Sequence, residues 1–173
     1  MKLTVAALVA VLTAACAGPE IRGPFRNQYI DVDTGKPIQG VVFLAVWEKV
    51  YPTVTGDGGR YFYEAREAVS GPDGRVEIPA VSPLNSIFTL EVTFHAFGAG
   101  YGYADDNVLV TPPSGKAYID PTVTRMRRLP SREERCQFLR HLSSPSVPEN
   151  TLRIPKYLAV THGESDALRC GSL

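Results

Sequence analysis

The chain has no surplus of either charge, with 18 basic residues against 18 acidic ones over 173 positions. Leaving out the first fifteen residues removes Lys2 alone and gives a balance of −1. On net charge alone, nucleic acid and anionic membrane surfaces are poor partners. Nor is there an apolar run of the roughly 20 residues that a membrane-spanning helix needs; the uncharged run Leu3–Leu12 falls well short. Patterns that carry chemistry are scarce too. The three histidines, His95, His141 and His162, lie in unrelated contexts, and there is neither a G-x-S-x-G nor a His or Cys pair at ligand spacing. These absences argue against a hydrolytic triad and a transition-metal centre. Calcium would need the oxygens of Asp57 or of Asp105, Asp106 and Asn107. Acidic residues beside glycines more often cap turns. No catalytic residue, metal ligand or cofactor is therefore expected. Internal repeats are missing as well.

What is present begins with an address. Met1-Lys2 is a short positive start, and the apolar run after it closes on Leu12-Thr13-Ala14-Ala15-Cys16. That ending resembles the lipobox of bacterial lipoproteins, although Thr13 stands where an aliphatic residue is more usual. The resemblance implies that residues 1–15 are removed and that Cys16 carries the lipid. An ordinary signal peptide, cut near Ala15 or Ala17, is the alternative. Ala17 is not the aspartate that retains some lipoproteins in the inner membrane, which points to the periplasmic face of the outer membrane. Cys136 and Cys170 are then an even pair in an oxidising compartment, and they are expected to bridge. Closing a loop of that length stabilises by roughly 3–4 kcal/mol. Residues 16–27 read as a Pro/Gly tether that holds the folded part near the membrane.

The stretch Tyr29–Trp47 organises the rest. Tyr29–Asp33 reads as a strand, Asp33-Thr34-Gly35-Lys36-Pro37 as a turn with Asp capping it, and Ile38–Val50 as a longer strand. Alternation sends Val41, Phe43, Ala45 and Trp47 to one face and Val42, Leu44 and Val46 to the other. A strand apolar on both faces lies in the middle of something. Gly 15 and Pro 14 suit short strands joined by tight turns. Tyr61–Val69 and Arg75–Ala80 read as a hairpin about Pro72-Asp73-Gly74. Ile87–Phe97 alternates, with Phe88, Leu90, Val92, Phe94 and Ala96 on one face and a mixed face bearing His95. Gly98–Asn107 reads as a loop, and Val108–Val110 and Lys116–Met126 complete the strands. After Pro130 the period changes. Ser131 with Glu134 forms a capping box, which predicts a helix to about Leu142 with Cys136, Leu139 and Leu142 inward. Pro155 opens a second helix over Lys156–His162, and Glu164–Cys170 forms a third turn or two.

Three motifs in series resemble carboxypeptidase regulatory-like domains. VDTGKPIQGVVFLAVW is similar to their D-x-x-T-G-x-P-I-x-G-A opening. EAVSGPDGRVEIPA is similar to the T-D-x-x-G-x-F-x-I-P segment, with Ser70 and Val76 where Thr and Phe are usual, and FTLEVTFHAFGAGY to a strand ending in A-x-G-Y. Together they cover about residues 29–125, and the tail from Ser131 resembles an arginine-rich extension of some bacterial members. The resemblance implies a mainly β, prealbumin-like seven-strand β-sandwich over residues 28–129 with short C-terminal helices in 130–173. It also implies a non-catalytic accessory or docking role, with no catalytic residue to carry over. Two enzyme families of similar architecture fit less well. The chain ends Arg169-Cys170-Gly171-Ser172-Leu173 without the tyrosine of hydroxyisourate hydrolases, and it lacks the H-x-H of intradiol dioxygenases.

Two side-chain groups remain as candidates. Tyr61 and Tyr63 flank one loop and Tyr101 and Tyr103 another, where exposed rings could stack on sugars or anchor a protein; alternatively they cover strands. Arg125, Arg127, Arg128, Arg132 and Arg135 make a basic patch that could face lipid phosphates near the anchor, although Glu133 and Glu134 favour a solvated, salt-bridged surface. The expectation is thus a lipid-anchored envelope module without enzyme activity. Its expected partners are the membrane, through the anchor, and another envelope protein. The alternative is a carbohydrate or peptidoglycan binder acting through the tyrosines.

Overall fold

A computed structural model describes residues 23–51, 59–81, 89–104, 122–142, 145, 147 and 153–170. The leader, Cys16, the Val108–Val110 strand, Asp57 and Asp105–Asn107 lie outside the described residues. Among the described residues seven strands form two sheets: β1 Phe25–Asp31, β2 Val42–Val50, β3 Arg60–Val69, β4 Arg75–Ile78, β5 Thr89–Phe97, β6 Tyr101–Tyr103 and β7 Thr122–Arg128. Two helices follow, α1 Arg132–His141 and α2 Pro155–Leu168. Sheet A has the order β4-β1-β7-β6 and sheet B the order β3-β2-β5. All pairs are antiparallel except β1 with β7, where Gln28 faces Val123 and Ile30 faces Arg125.

The two faces of β2 separate as their alternation requires. Phe43, Ala45 and Trp47 enter a core between the sheets, with Phe25 and Tyr29 of β1, Leu90, Val92, Phe94 and Ala96 of β5, and Met126 of β7. Val42, Leu44 and Val46 enter a second core beneath the helices, with Phe97, Leu139, Ile154 and Tyr157. The architecture is therefore sandwich-like, with sheet B covered on both faces. Trp47 is fully buried and stacks on Phe25 at 5.8 Å between ring centroids. Truncating such a ring costs about 3–5 kcal/mol. The only polar side-chain pair inside β1 and β7 that both residues bury, Asn27 and Thr124, is joined by a 2.8 Å hydrogen bond, which offsets its desolvation.

Five local expectations need correction. The fold begins inside the expected tether, because Phe25 is fully buried and Phe25, Asn27, Tyr29 and Asp31 alternate inward. The turn after β1 is capped by Asp31 rather than Asp33: its Oδ1 accepts from the Asp33 and Thr34 amides at 2.9 and 3.0 Å. Gly35 takes the positive φ, but the chain then crosses to the other sheet, leaving a single bridge between Ile30 and Pro37. The hairpin expected of β3 and β4 does not form either. Ser70 is fastened to the start of β2, its hydroxyl donating to the Ile38 carbonyl and accepting from the Val41 amide at 2.8 and 2.9 Å. Beyond that anchor β4 joins β1 in sheet A. Finally, the expected Gly98–Asn107 loop contains β6, and α2 is one helix running through Gly163. The packing of Ile154 and Tyr157 on sheet B outweighs the glycine's weak propensity, and a Cβ there would meet nothing within 4 Å.

Candidate functional site

The helices are fixed to sheet B by charged groups as well as by apolar packing. Ser131 caps α1 in the capping box expected of it, and Cys136 and Leu139 turn inward. Cys136 is bonded to Cys170, just past the end of α2. No side chain of its own caps α2 at Ile154. Glu67 of β3 does so from outside, accepting from the Lys156 and Tyr157 amides at 2.7 and 2.9 Å. A carboxylate there also meets the positive end of the helix dipole. At the other end Arg132 donates to the Leu168 and Arg169 carbonyls at 2.7 and 2.8 Å. Between them Arg135 is ion-paired with buried Glu164, which also accepts from the Gly100 amide at 3.1 Å. Neither Glu164 nor Glu67 is thus a free acid.

His95 is not on an open mixed face, because α2 covers it. It is 5% exposed and edge-on to Tyr157 at 6.1 Å. In sheet B it shares a row with Leu44 and Glu67, the residue that holds the first turn of α2. Burial pulls the imidazole down to about 4 from 6.5. Burial raises the Tyr157 phenol, and neighbouring Tyr103 raises it further. Asp31 is buried as well, and burial pushes its carboxyl up. The Thr34 and Asp33 amides and the Thr34 and Tyr101 hydroxyls more than offset this and leave it below the ordinary carboxylate range. No group of three or more His, Cys, Asp or Glu among the described residues could hold a metal ion.

The four candidate tyrosines go to different places. Tyr103 is a packing residue: its hydroxyl donates to the Ala96 carbonyl at 2.6 Å and accepts from the Ala96 amide at 3.2 Å. Burial pushes its pKa up to about 12 despite the bond to Ala96. Tyr101 is half-buried between Asp31 and Arg128, with 3.4 Å contacts to each. Tyr63 is half-buried under Lys49, whose ammonium lies 4.7 Å from the ring centre. Tyr61 alone is open, at 60% exposure. The structure therefore does not bring the two tyrosine pairs together.

Tyr61 borders an open hollow of about 490 Å³ lined by Lys49, Tyr51, Gly59, Tyr61 and Phe62. Tyr51 meets Tyr61 edge to face at 5.7 Å, making an aromatic corner. The missing side chain of Gly59 gives the Tyr61 ring its seat, since a Cβ there would lie 2.8 Å from it. Sequence reading found Tyr61 but not Lys49 and Tyr51, which come from the far end of β2 and reach the site only through its pairing with β3. Alternation along the end of β2 could have placed Lys49 and Tyr51 together. The arginine patch divides too: Arg132 and Arg135 serve the helices, and Arg128 reaches Tyr101. Arg125 and Arg127 are exposed on the outer face of sheet A. Glu134 is used in the α1 cap, while Glu133 lies 3.7 Å from Arg132.

No protein-family model matches the chain, and no curated protein matches it.

Proposed function

We propose that the chain is a non-catalytic module of the bacterial envelope, lipid-anchored at Cys16, whose aromatic hollow docks another envelope protein. The prealbumin-like, carboxypeptidase-regulatory-like reading belongs to the same proposal. The observation that carries it is the aromatic corner of Tyr51 and Tyr61 beside Lys49. A half-open aromatic with a polar tip on a stiff scaffold is the usual anchor of a protein contact. Among the described residues, groups that could have served chemistry are engaged otherwise: half-buried Glu67 and buried Glu164 hold α2, buried Asp31 caps a turn and His95 is enclosed. Labelled palmitate should enter the chain and fail to enter Cys16→Ala. Formaldehyde crosslinking in cells should yield one dominant protein adduct that Tyr61→Ala loses. An adduct pattern that ignores Tyr61 would remove the docking site from the proposal.

One observation favours a second reading, a saccharide ligand. The exposed Tyr61 ring offers a flat face, and Lys49 brings a donor to the same hollow. Co-sedimentation with purified peptidoglycan, lost in Tyr61→Ala, would select it.

A further inference from the structure

Zero net charge conceals a segregated surface. The helices cover the outer face of sheet B, while the outer face of sheet A carries aliphatic and basic side chains set side by side. Val123 is 55% exposed and Val32 is 41% exposed, with half-buried Ile30 between β1's polar positions. Register puts Ile30 beside Arg125 and Val123 beside Gln28, which in turn faces Arg75 on β4. Arg26, Arg75, Arg125 and Arg127 are all exposed on this face. Its strands bring one carboxylate, Glu77, bonded to Arg26 at 2.9 Å, and Asp73 at the turn lies 4.0 Å from Arg75.

We propose that this face rests on an anionic phospholipid surface, with the arginines on lipid phosphates and Val123, Val32 and Ile30 against the headgroup–acyl boundary. Two arguments select a membrane. The first is charge: guanidinium groups pair with phosphate in two-point contacts, and the aliphatic side chains between them match the boundary below the headgroups. The second is reach. Only eight residues separate Cys16 from Phe25, the first residue of β1, and β1 lies inside this sheet. The link spans about 30 Å at most, so an anchor at Cys16 holds sheet A close to the bilayer. The second argument rests on the anchored reading; the first does not.

The test uses the full chain with Cys16→Ser, so that lipidation plays no part. Its binding is compared on vesicles of phosphatidylcholine alone and of phosphatidylcholine mixed with phosphatidylglycerol. The leader, which carries Lys2, is the same in parent and variants, so the change in the ratio on substitution reports the charged face. Each arginine at an anionic surface contributes about fivefold, equivalent to about 1 kcal/mol. Arg125→Glu with Arg127→Glu should lower the ratio at least about 25-fold, while Arg125→Lys with Arg127→Lys should keep most of it. Both pairs are exposed, and unfolding midpoints check that they fold. A ratio near one for the parent, or one that charge reversal leaves unchanged, overturns the proposal. Capture of an acidic protein through position 123 in cells, without any lipid preference in vitro, overturns it too. Failure of palmitate labelling would instead strike the anchor and leave this ratio untouched.

Discussion

Acid should loosen the seat of α2, and His95 supplies the reason. Its imidazole is buried against Tyr157, and no carboxylate forms an ion pair with it among the described residues. Glu67, in the same row, lies two strand spacings away, about 10 Å, and already serves the α2 amides. Burial holds the folded pKa at about 4, against 6.5 in the open. The unfolded chain therefore takes up a proton that the folded chain resists. This group's contribution is whole above about pH 6.5 and falls as pH drops toward about 4. At about 1.4 kcal/mol per pKa unit, the full loss is about 3 kcal/mol, of which about 2 kcal/mol is gone by pH 5. Asp31, a carboxyl held low, adds its own loss only below the ordinary carboxylate range. Urea unfolding at about pH 7, 6 and 5, with the disulfide intact, reads the effect directly. His95→Phe, which keeps a ring in the site, should abolish the loss over that interval. A parent chain equally stable at pH 7 and 5 would refute the reasoning, and so would a His95→Phe variant that keeps the full slope.

Other perturbations test the docking of the helices. Reducing Cys136–Cys170 should cost about 3–4 kcal/mol, read as a fall in the thermal midpoint; an unchanged midpoint would contradict the chain-entropy argument. Glu67→Ala leaves two α2 amides without their acceptor and should cost about 1–2 kcal/mol, with faster hydrogen exchange confined to the first turn of α2. Gly163→Ala and Arg169→Gly should each stabilise by about 0.5–1 kcal/mol. The first position is an unobstructed helix interior, and the second has a φ of 51° that suits glycine. If either swap destabilises in urea titration, the helix geometry described for α2 is wrong.

The parts of the fold legible in the sequence are those whose signal is local. Val41–Trp47 alternates over one strand and so announces two cores, and Ser131 with Glu134 marks the start of α1 within four residues. What stayed hidden depends on distant partners. Nothing near Arg75–Ile78 says that it pairs with β1 rather than β3, because the decision lies in Ser70 binding Ile38 and Val41 some thirty positions earlier. His95 reads as half-exposed on its own strand and becomes buried only when α2 docks across it. The candidate site divides in the same way. Tyr61 stood out as an aromatic beside a turn, whereas Lys49 and Tyr51 join it through strand pairing. The arginines read as one cluster because they are close in sequence. Strand alternation and the helix caps then send them to separate faces, and Arg26 and Arg75 join two of them from elsewhere in the chain.

The docking role is tested most directly by a photo-crosslinking residue placed at position 61 in intact bacterial cells, with position 133 on the exposed side of α1 as the comparison. The account expects one dominant envelope protein captured from position 61 and not from 133. Equal capture from both positions, or none from 61, would contradict it.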